Sequence, residues 1–150
     1  MNVRKYLPAD AAAVKQIWST VLPDSSYYNQ PTFALERKLA VDDLIFVAEQ
    51  DGQLIGTVMA GYDGHRGWLY SVAVLPSHRR YGAGAKLVQA ALLALVDIGC
   101  VKVNLQVRMD NEAVTAFYES LGFSVEPRIN MGLKLNPADI RSGQLECVAT

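Results

Sequence analysis

The chain has 150 residues, of which 51% are hydrophobic and 19% are charged, and its formal net charge is −1. This length favours one domain with a buried core, and the near-neutral charge gives no basis for general binding to nucleic acids or anionic membranes. The longest apolar run, residues 90–96, is far shorter than the roughly 20 residues of a membrane-spanning helix. The first residues lack the apolar core of a signal peptide. We therefore expect a soluble protein of the cytoplasm.

The chain contains two cysteines, Cys100 and Cys147. Their spacing matches no metal-binding motif, and two cysteines give little basis for a secreted disulfide framework. We expect two free thiols in a reducing compartment and no metal site.

Hydrophobic periodicity and turn residues predict alternating strands and helices along the chain. Asp51 and Gly52 are typical of a two-residue hairpin turn, and Gly56 and Gly61 indicate bulges or close approach of a neighbour. In chain order we predict a strand over 2–6, helices over 9–22 and 32–41, strands over 44–49, 54–62 and 68–75, a helix over 84–98, a strand over 101–107, a helix that starts at Asp110 or Asn111 and ends at Gly122, and strands over 123–126 and 129–135.

This order, β-α-α-β-β-β-α-β-α-β-β, predicts an α/β protein with a mixed sheet covered by helices on both faces. Residues 1–136 would form the domain, and residues 137–150, which lack periodicity, a tail. The helix over 84–98 is apolar nearly all round, so only a narrow stripe with Lys86, Gln89 and Asp97 should face water. The strand over 129–135 is a candidate for pairing with a second copy in a homodimer.

A basic turn with two glycines, HRRYGAG from His78 to Gly84, separates the strand over 68–75 from the long helix. Its glycines would let the backbone approach a pyrophosphate, and Arg79 and Arg80 would offset the charge beside the helix N-terminus. The turn is neither a Walker A loop nor a complete G-x-G-x-x-G motif. An ordinary strand-to-helix turn with surface arginines is the alternative.

The next helix carries an apolar stripe at helical spacing, formed by Val114, Phe117, Tyr118 and Leu121. This spacing turns Tyr118 towards the sheet. Taken alone, the pattern is more typical of a core tyrosine with a satisfied hydroxyl than of a catalytic residue.

Together, R-x-x-G-x-G and the later N-x-x-x-x-x-x-Y-x-x-x-G-F resemble the GNAT superfamily of acetyl-CoA-dependent N-acetyltransferases. The likeness covers nearly the whole chain, because the order of strands and helices also matches, and GTVMAGYDGHRG resembles a YpeA-like bacterial subgroup. The resemblance implies one domain with a mostly antiparallel sheet of six to seven strands. It also implies that acetyl-CoA lies in a V between the strands over 69–75 and 101–107.

The resemblance implies roles for individual residues. The strand before the turn would bind the pantetheine arm through the backbone of Val72, Ala73 and Val74. The pyrophosphate loop corresponds to Arg79, Arg80, Tyr81, Gly82, Ala83 and Gly84, the cofactor-contacting asparagine to Asn111, and the tyrosine acid, which also lies by the cofactor, to Tyr118. The family commonly has glycine where this chain has Arg80, whose side chain would either point to solvent or add a phosphate contact.

These residue types suit acetyl transfer to an amine. A strand N–H near residues 72–74 would stabilise the tetrahedral oxyanion. Tyr118 would protonate the leaving thiolate. The ordinary pKa is roughly 10 for tyrosine and about 8.5 for a thiol, so proton transfer from the tyrosine to the thiolate costs about 2 kcal/mol.

A general base is harder to identify. Trp68, Leu69 and Tyr70 stand where some family members carry a glutamate. Gln106 stands five residues before Asn111, where the ribosomal-protein alanine acetyltransferases carry one. That difference weighs against their activity here.

Because its ordinary pKa is the most suitable, His65 is our predicted catalytic base. Glu49, Asp63 and an ordered water are alternatives, and a solvent-facing loop histidine is the plain interpretation of His65. His78 is expected beside the phosphates.

Acceptor recognition should come from the first third of the chain and the turn over 63–67, with candidates Tyr27, Tyr28, Phe33 and Arg37. We predict transfer to a primary amine of a small molecule, an amino acid or a peptide N-terminus. A sensor that binds acetyl-CoA with little transfer is the alternative. A different acyl-CoA donor is a weaker one, since Ala73 does not decide the chain length.

Overall fold

The computed structural model describes residues 1–143, so Cys147 lies outside the described part, and Cys100 is a buried free thiol. Its elements are β1 (Asn2–Lys5), α1 (Ala11–Val21), α2 (Pro31–Val41), β2 (Ile45–Gln50), β3 (Gln53–Tyr62), β4 (Gly67–Val74), α3 (Ala83–Asp97), β5 (Val103–Asn104), α4 (Glu112–Ser120) and α5 (Pro137–Ser142). Single 3-10 turns cover Pro8–Asp10, Tyr27–Asn29 and Pro76–His78. The predicted order is thus confirmed as far as α4.

Contacts divide the chain into two compact units, Met1–Glu112 and Ala113–Thr150. The first unit contains the sheet and the helices α1 to α3. The second contains most of α4 and, among its described residues, α5.

The first unit is built on a five-stranded sheet in the order β1-β2-β3-β4-β5. The first four strands are antiparallel neighbours, and β5 pairs with β4 in parallel. That last pairing joins only Gly67 to Val103 and Trp68 to Asn104. Within the described residues, β4 therefore continues beyond β5 without a partner on that side, at the position where the V was predicted.

Helices cover both faces of this sheet, as predicted. On one face, buried residues of α1 and α2 pack against β2 and β4: Val14, Ile17, Trp18, Leu35, Ile45, Val47 and Ala73. On the other face, α3 contacts the strands β1 to β4 and buries Leu87 and Leu95 completely. The β2–β3 turn holds Asp51 and Gly52 at φ angles of 51° and 77°, the left-handed conformation that a two-residue hairpin requires.

Gly56 lies where three elements converge. A Cβ at this position would be 2.8 Å from the Ala73 carbonyl oxygen of β4 and 3.0 Å from Cδ1 of Leu87 in α3. The close approach predicted at Gly56 is confirmed. At Gly61 the nearest atom would be Nζ of Lys38 at 3.9 Å, which is ordinary contact.

The predicted strands over 123–126 and 129–135 are not formed, which makes five strands rather than six to seven. Ile129, Met131 and Leu133 occupy alternate positions of the second segment, yet their side chains are exposed. Alternation predicts a strand only where a ladder partner is available. A homodimer built on that strand has no support among the described residues.

The structure adds detail to three local predictions. The segment after residue 137 includes a short helix, α5, whose preceding residue Asn136 accepts a hydrogen bond from the Ala138 amide at 3.1 Å. The predicted strand over 101–107 is reduced to the two residues of β5, and Val101 is exposed. In α3, Leu93 and Val96 are exposed, so more than a narrow polar stripe faces water. No helix within residues 1–143 is long and apolar enough to cross a membrane.

Candidate active site

The strand β4 carries a bulge in its middle. Two of its residues, Ser71 and Val72, lie opposite the single residue Val58 of β3. Ser71 has a φ of 50°, a left-handed conformation that costs a non-glycine residue roughly 1–3 kcal/mol and persists only where its surroundings hold it. Val72 opens the segment that we predicted to bind the pantetheine arm. The ladder is therefore interrupted where that segment begins.

Two buried side chains hold the bulge. The Thr57 hydroxyl donates to the Ser71 carbonyl oxygen at 3.0 Å, and the Trp18 indole N–H donates to the Thr57 hydroxyl oxygen at 2.9 Å. Thr57 is 0% exposed and Trp18 is 4% exposed. We did not single out either residue from the sequence. The available signals were a hydroxyl within an otherwise apolar strand and a buried indole N–H, which normally needs an acceptor.

The basic turn follows β4 through the 3-10 turn Pro76–His78. The Arg79 side chain bends back, and its Nε donates to the Val74 carbonyl oxygen at 3.1 Å. Arg80 and Gly82 have φ angles of 69° and 83°. The left-handed conformation at Arg80 explains why glycine suits this position. It also places an exposed arginine beside the turn amides.

The helix α3 starts directly from this turn, and the Lys86 amide donates to the Gly82 carbonyl oxygen at 3.1 Å. The amides before it, those of Ala83, Gly84 and Ala85, have no acceptor inside the helix. Left-handed residues interspersed in such a turn form a concave group of amides that suits an anion. Amide donors, the positive end of the helix dipole and two arginines fit a pyrophosphate. Tyr81, in the same turn, is 76% exposed.

The predicted base His65 lies at the opposite end of β4, in the exposed turn after β3. Asp63 Oδ1 accepts the amides of His65 and Arg66 at 2.8 and 2.7 Å. These hydrogen bonds, that of Arg66 above all, lower the pKa of Asp63 below its usual range. With about 3.3 Å per strand residue, His65 is more than roughly 16 Å along the strand from Val72. The structure does not bring His65 to the bulge.

The remaining polar candidates are held in other contacts. Glu49 accepts a hydrogen bond from Nε of Arg4 at 3.3 Å. His78 Nδ1 is 2.8 Å from the Ser77 hydroxyl, in the 3-10 turn before the basic turn. Tyr70, half exposed and next to the bulge, has a pKa raised by partial burial and by the charge of Asp63.

The aromatic acceptor candidates pack together at the start of α2. The Tyr27 ring makes edge contacts with Tyr28 and Phe33 at centroid distances of 5.4 and 5.6 Å. The Arg37 guanidinium lies 5.0 Å from the centre of the Phe33 ring. Tyr27 and Tyr28 are 55% and 46% exposed. The four residues thus pack into one cluster at the start of α2, in which Phe33 is half-buried and the other three are exposed.

The predicted acid Tyr118 belongs to the second unit. It is 8% exposed and makes edge contacts with Phe117 and Phe123 at 5.0 and 5.6 Å. Burial raises the pKa of Tyr118 to about 12. The phenol is therefore protonated throughout the physiological range. Asn111, whose amide donates to the Arg108 carbonyl oxygen at 2.9 Å, immediately precedes α4 in the first unit.

Known proteins match this chain in sequence and in fold. The model of the acetyltransferase (GNAT) family matches residues 12–123. An acetyltransferase of Pectobacterium atrosepticum is 38% identical over 139 residues, which cover 90% of this chain and 96% of the relative. An aminoglycoside N-acetyltransferase in complex with CoA superposes with a TM-score of 0.75 at 20% identity, covering 89% of this chain and 93% of its own. The ribosomal-protein alanine N-acetyltransferase of Escherichia coli superposes with a TM-score of 0.70 at 26% identity, covering 82% of this chain and 77% of its own.

Proposed function

This chain belongs to the GNAT family of acetyltransferases, and we propose that it acetylates a primary amine by direct attack on acetyl-CoA, with Tyr118 as general acid. The acceptor class comprises small amines, amino acids and peptide N-termini. The single observation that carries the proposal is the continuity of the bulge at Ser71 with the amide-rich turn that opens α3. One continuous stretch of backbone thus offers hydrogen-bond donors to two parts of acetyl-CoA, the thioester at the bulge and the pyrophosphate at the turn.

Acetyl-CoA supplies an activated thioester carbonyl, and the chain supplies its binding and orientation. We propose that the backbone of Val72, Ala73 and Val74 binds the pantetheine arm. The turn over 79–84 would hold the pyrophosphate through its amides and the guanidinium of Arg80. Arg79 contributes less as a free cation, because one of its N–H groups already donates to β4. Asn111 is the proposed additional contact to the donor.

In the proposed reaction the amine nitrogen attacks the thioester carbon, the C–S bond breaks, and the thiolate takes a proton. An N–H at the bulge stabilises the oxyanion. Since the pKa of Tyr118 is about 12, full proton transfer to a thiolate is uphill by about 5 kcal/mol. Tyr118 therefore acts chiefly by donating a strong hydrogen bond as the thiolate forms, with the proton arriving late.

The amine must lose a proton before or during attack. Asp63 is a weak base because its pKa is lowered, and Glu49 is paired with Arg4. We propose an ordered water as the immediate proton acceptor at the bulge. His65, the proposed base, would take up that proton only afterwards, through a water chain towards the turn over 63–67, so the rate of attack should depend little on it.

The acceptor would bind on the α2 side, where the cluster of Tyr27, Tyr28, Phe33 and Arg37 is exposed. Matching structures act on chemically different amines, an aminoglycoside in one case and a ribosomal-protein alanine in another. Gln106 in place of a glutamate weighs against the second activity. A panel of acceptors is therefore required.

The test is thiol release from acetyl-CoA across amino sugars, free amino acids and peptides with free N-termini. We expect release with at least one class, and Tyr118→Phe should lower kcat by about a hundredfold or more with an unchanged Kd for acetyl-CoA. Because the pKa of Tyr118 is about 12, the phenol stays protonated as pH rises, and kcat should not fall between pH 8 and roughly 11 through this group.

Tyr62→Phe is the matched control, since the Tyr62 hydroxyl lies within hydrogen-bonding distance of the carbonyl oxygens of Gly64 and Gly99, away from the bulge and the basic turn. It should leave kcat unchanged. Full activity of Tyr118→Phe would remove Tyr118 as the acid. Binding of acetyl-CoA without release on any acceptor would favour the sensor.

A further inference from the structure

The peptide group between Ser71 and Val72 has its direction set by a side chain of β3. The Ser71 carbonyl oxygen accepts the Thr57 hydroxyl at 3.0 Å. A trans peptide is planar, and its C=O and N–H point in opposite directions. The bond to Thr57 therefore directs the Val72 N–H away from Thr57. Val72 has no partner in the β3 register, so the ladder with β3 does not fix this N–H.

The Thr57 hydroxyl is in turn oriented by α1. It carries one proton and two lone pairs. Because the Trp18 indole N–H occupies a lone pair at 2.9 Å, the hydroxyl proton is left for the Ser71 carbonyl oxygen. Both side chains are buried, so water does not compete for these bonds. The sequence Trp18 to Thr57 to Ser71 is a directed chain of donors from the helix layer to the bulge.

We infer that Trp18 and Thr57 are positioning residues for acetyl transfer: together they aim the Val72 N–H at the carbonyl oxygen of the donor thioester. This inference rests on the proposed function and deepens it, since it selects one N–H from residues 72–74 as the oxyanion donor. Neither side chain touches the donor. Both act through the peptide group that follows Ser71.

The experiment compares Thr57→Val, which keeps the shape and removes the hydroxyl, with Thr57→Ser, which keeps the hydroxyl. Titration calorimetry gives the Kd for acetyl-CoA and for CoA, and steady-state kinetics give kcat and KM. In Thr57→Val we expect kcat to fall about tenfold to a hundredfold. The preference for acetyl-CoA over CoA should fall about fivefold, the loss of one hydrogen bond to the acetyl carbonyl. Affinity for CoA itself should be retained.

Two further variants separate positioning from stability. Trp18→Phe removes the indole donor and should lower the same affinity ratio and kcat to a smaller extent, which keeps the test available if Thr57→Val folds poorly. Val14→Ala, in the same helix as Trp18 and fully buried but outside the chain of donors, should lower the melting temperature and leave the ratio unchanged. Thr57→Ser should restore both kcat and the ratio.

The inference is overturned if Thr57→Val and Trp18→Phe keep the wild-type affinity ratio and kcat while losing only stability. It is also overturned if Thr57→Ser behaves like Thr57→Val, because packing of the methyl group would then be responsible. If the wild type acetylates no amine, the proposed transferase function fails. The ratio of acetyl-CoA to CoA affinity, which needs no acceptor, still decides whether Thr57 aims the Val72 N–H.

Discussion

The turn that leads into β4 and the middle of β4 are built in opposite ways. At the hairpin end, Asp63 binds the amides of His65 and Arg66, and the whole turn is held by neighbours in sequence and is largely exposed. In the middle, Ser71 is held left-handed by Thr57 and, through it, by Trp18, which is 39 residues from Thr57 in the chain. The conformation of the turn is determined by neighbouring residues. The conformation of the bulge depends on the assembled core.

This difference shows where the backbone of β4 is held in a strained conformation. The left-handed serine is held by the buried Thr57 hydroxyl, which donates to its carbonyl oxygen and is itself oriented by the Trp18 indole N–H. A hairpin turn capped by its own aspartate needs no such support. The half of β4 that leads into the basic turn is therefore the half whose backbone geometry is specified in detail, as a binding site requires.

Among changes near the half of β4 that leads into the basic turn, Gly56→Ala should have the largest effect on stability and binding. The new methyl group would lie 2.8 Å from the Ala73 carbonyl oxygen, so β3 and β4 must separate next to the proposed pantetheine strand. We expect a loss of about 1–3 kcal/mol in the free energy of unfolding, measured by urea denaturation, and weaker acetyl-CoA binding by calorimetry. Gly61→Ala is the control, because its methyl would meet nothing closer than 3.9 Å. Equal losses in the two variants would contradict the close approach at Gly56.

A smaller effect is expected at Arg80, just beyond the specified half. Arg80→Gly relieves the left-handed φ of 69° and should raise the free energy of unfolding by up to about 1 kcal/mol. The same change removes a cation from the turn, so acetyl-CoA affinity should fall a few-fold and become less sensitive to salt. Arg80→Lys keeps both the charge and the strain, and it should match the wild type. A destabilised glycine variant would show that the arginine side chain makes a stabilising contact.

The smallest effect is expected at the hairpin end. His65→Gln leaves the Asp63 turn intact, because the amides and not the imidazole bind the carboxylate. Since His65 is more than roughly 16 Å along the strand from Val72, kcat should change by less than about twofold. The measurement is a kcat profile from pH 5 to 9. A tenfold loss together with disappearance of the acidic limb of the profile would establish His65 as the base.

Much of the fold was predictable from the sequence because its signals are local. The hairpin at Asp51 and Gly52, the apolar face of α1 and the turn that opens α3 depend on periodicity and on glycine at left-handed positions. The prediction of strands over 123–126 and 129–135 was wrong because it also used only local signals. Alternation is a local signal, but a strand needs a partner that the sequence does not name.

The chemical groups of the proposed site can be found from the sequence: a glycine-bearing basic turn before a long helix, an asparagine that precedes α4, and a tyrosine on the apolar stripe of α4. The geometry of these groups comes from the folded structure. It left Ser71 and Val72 opposite one residue, joined Thr57 to Trp18, and raised the pKa of Tyr118 to about 12 through burial. Bulges, buried hydrogen bonds and desolvation arise between residues far apart in the chain, so no spacing along the sequence encodes them directly.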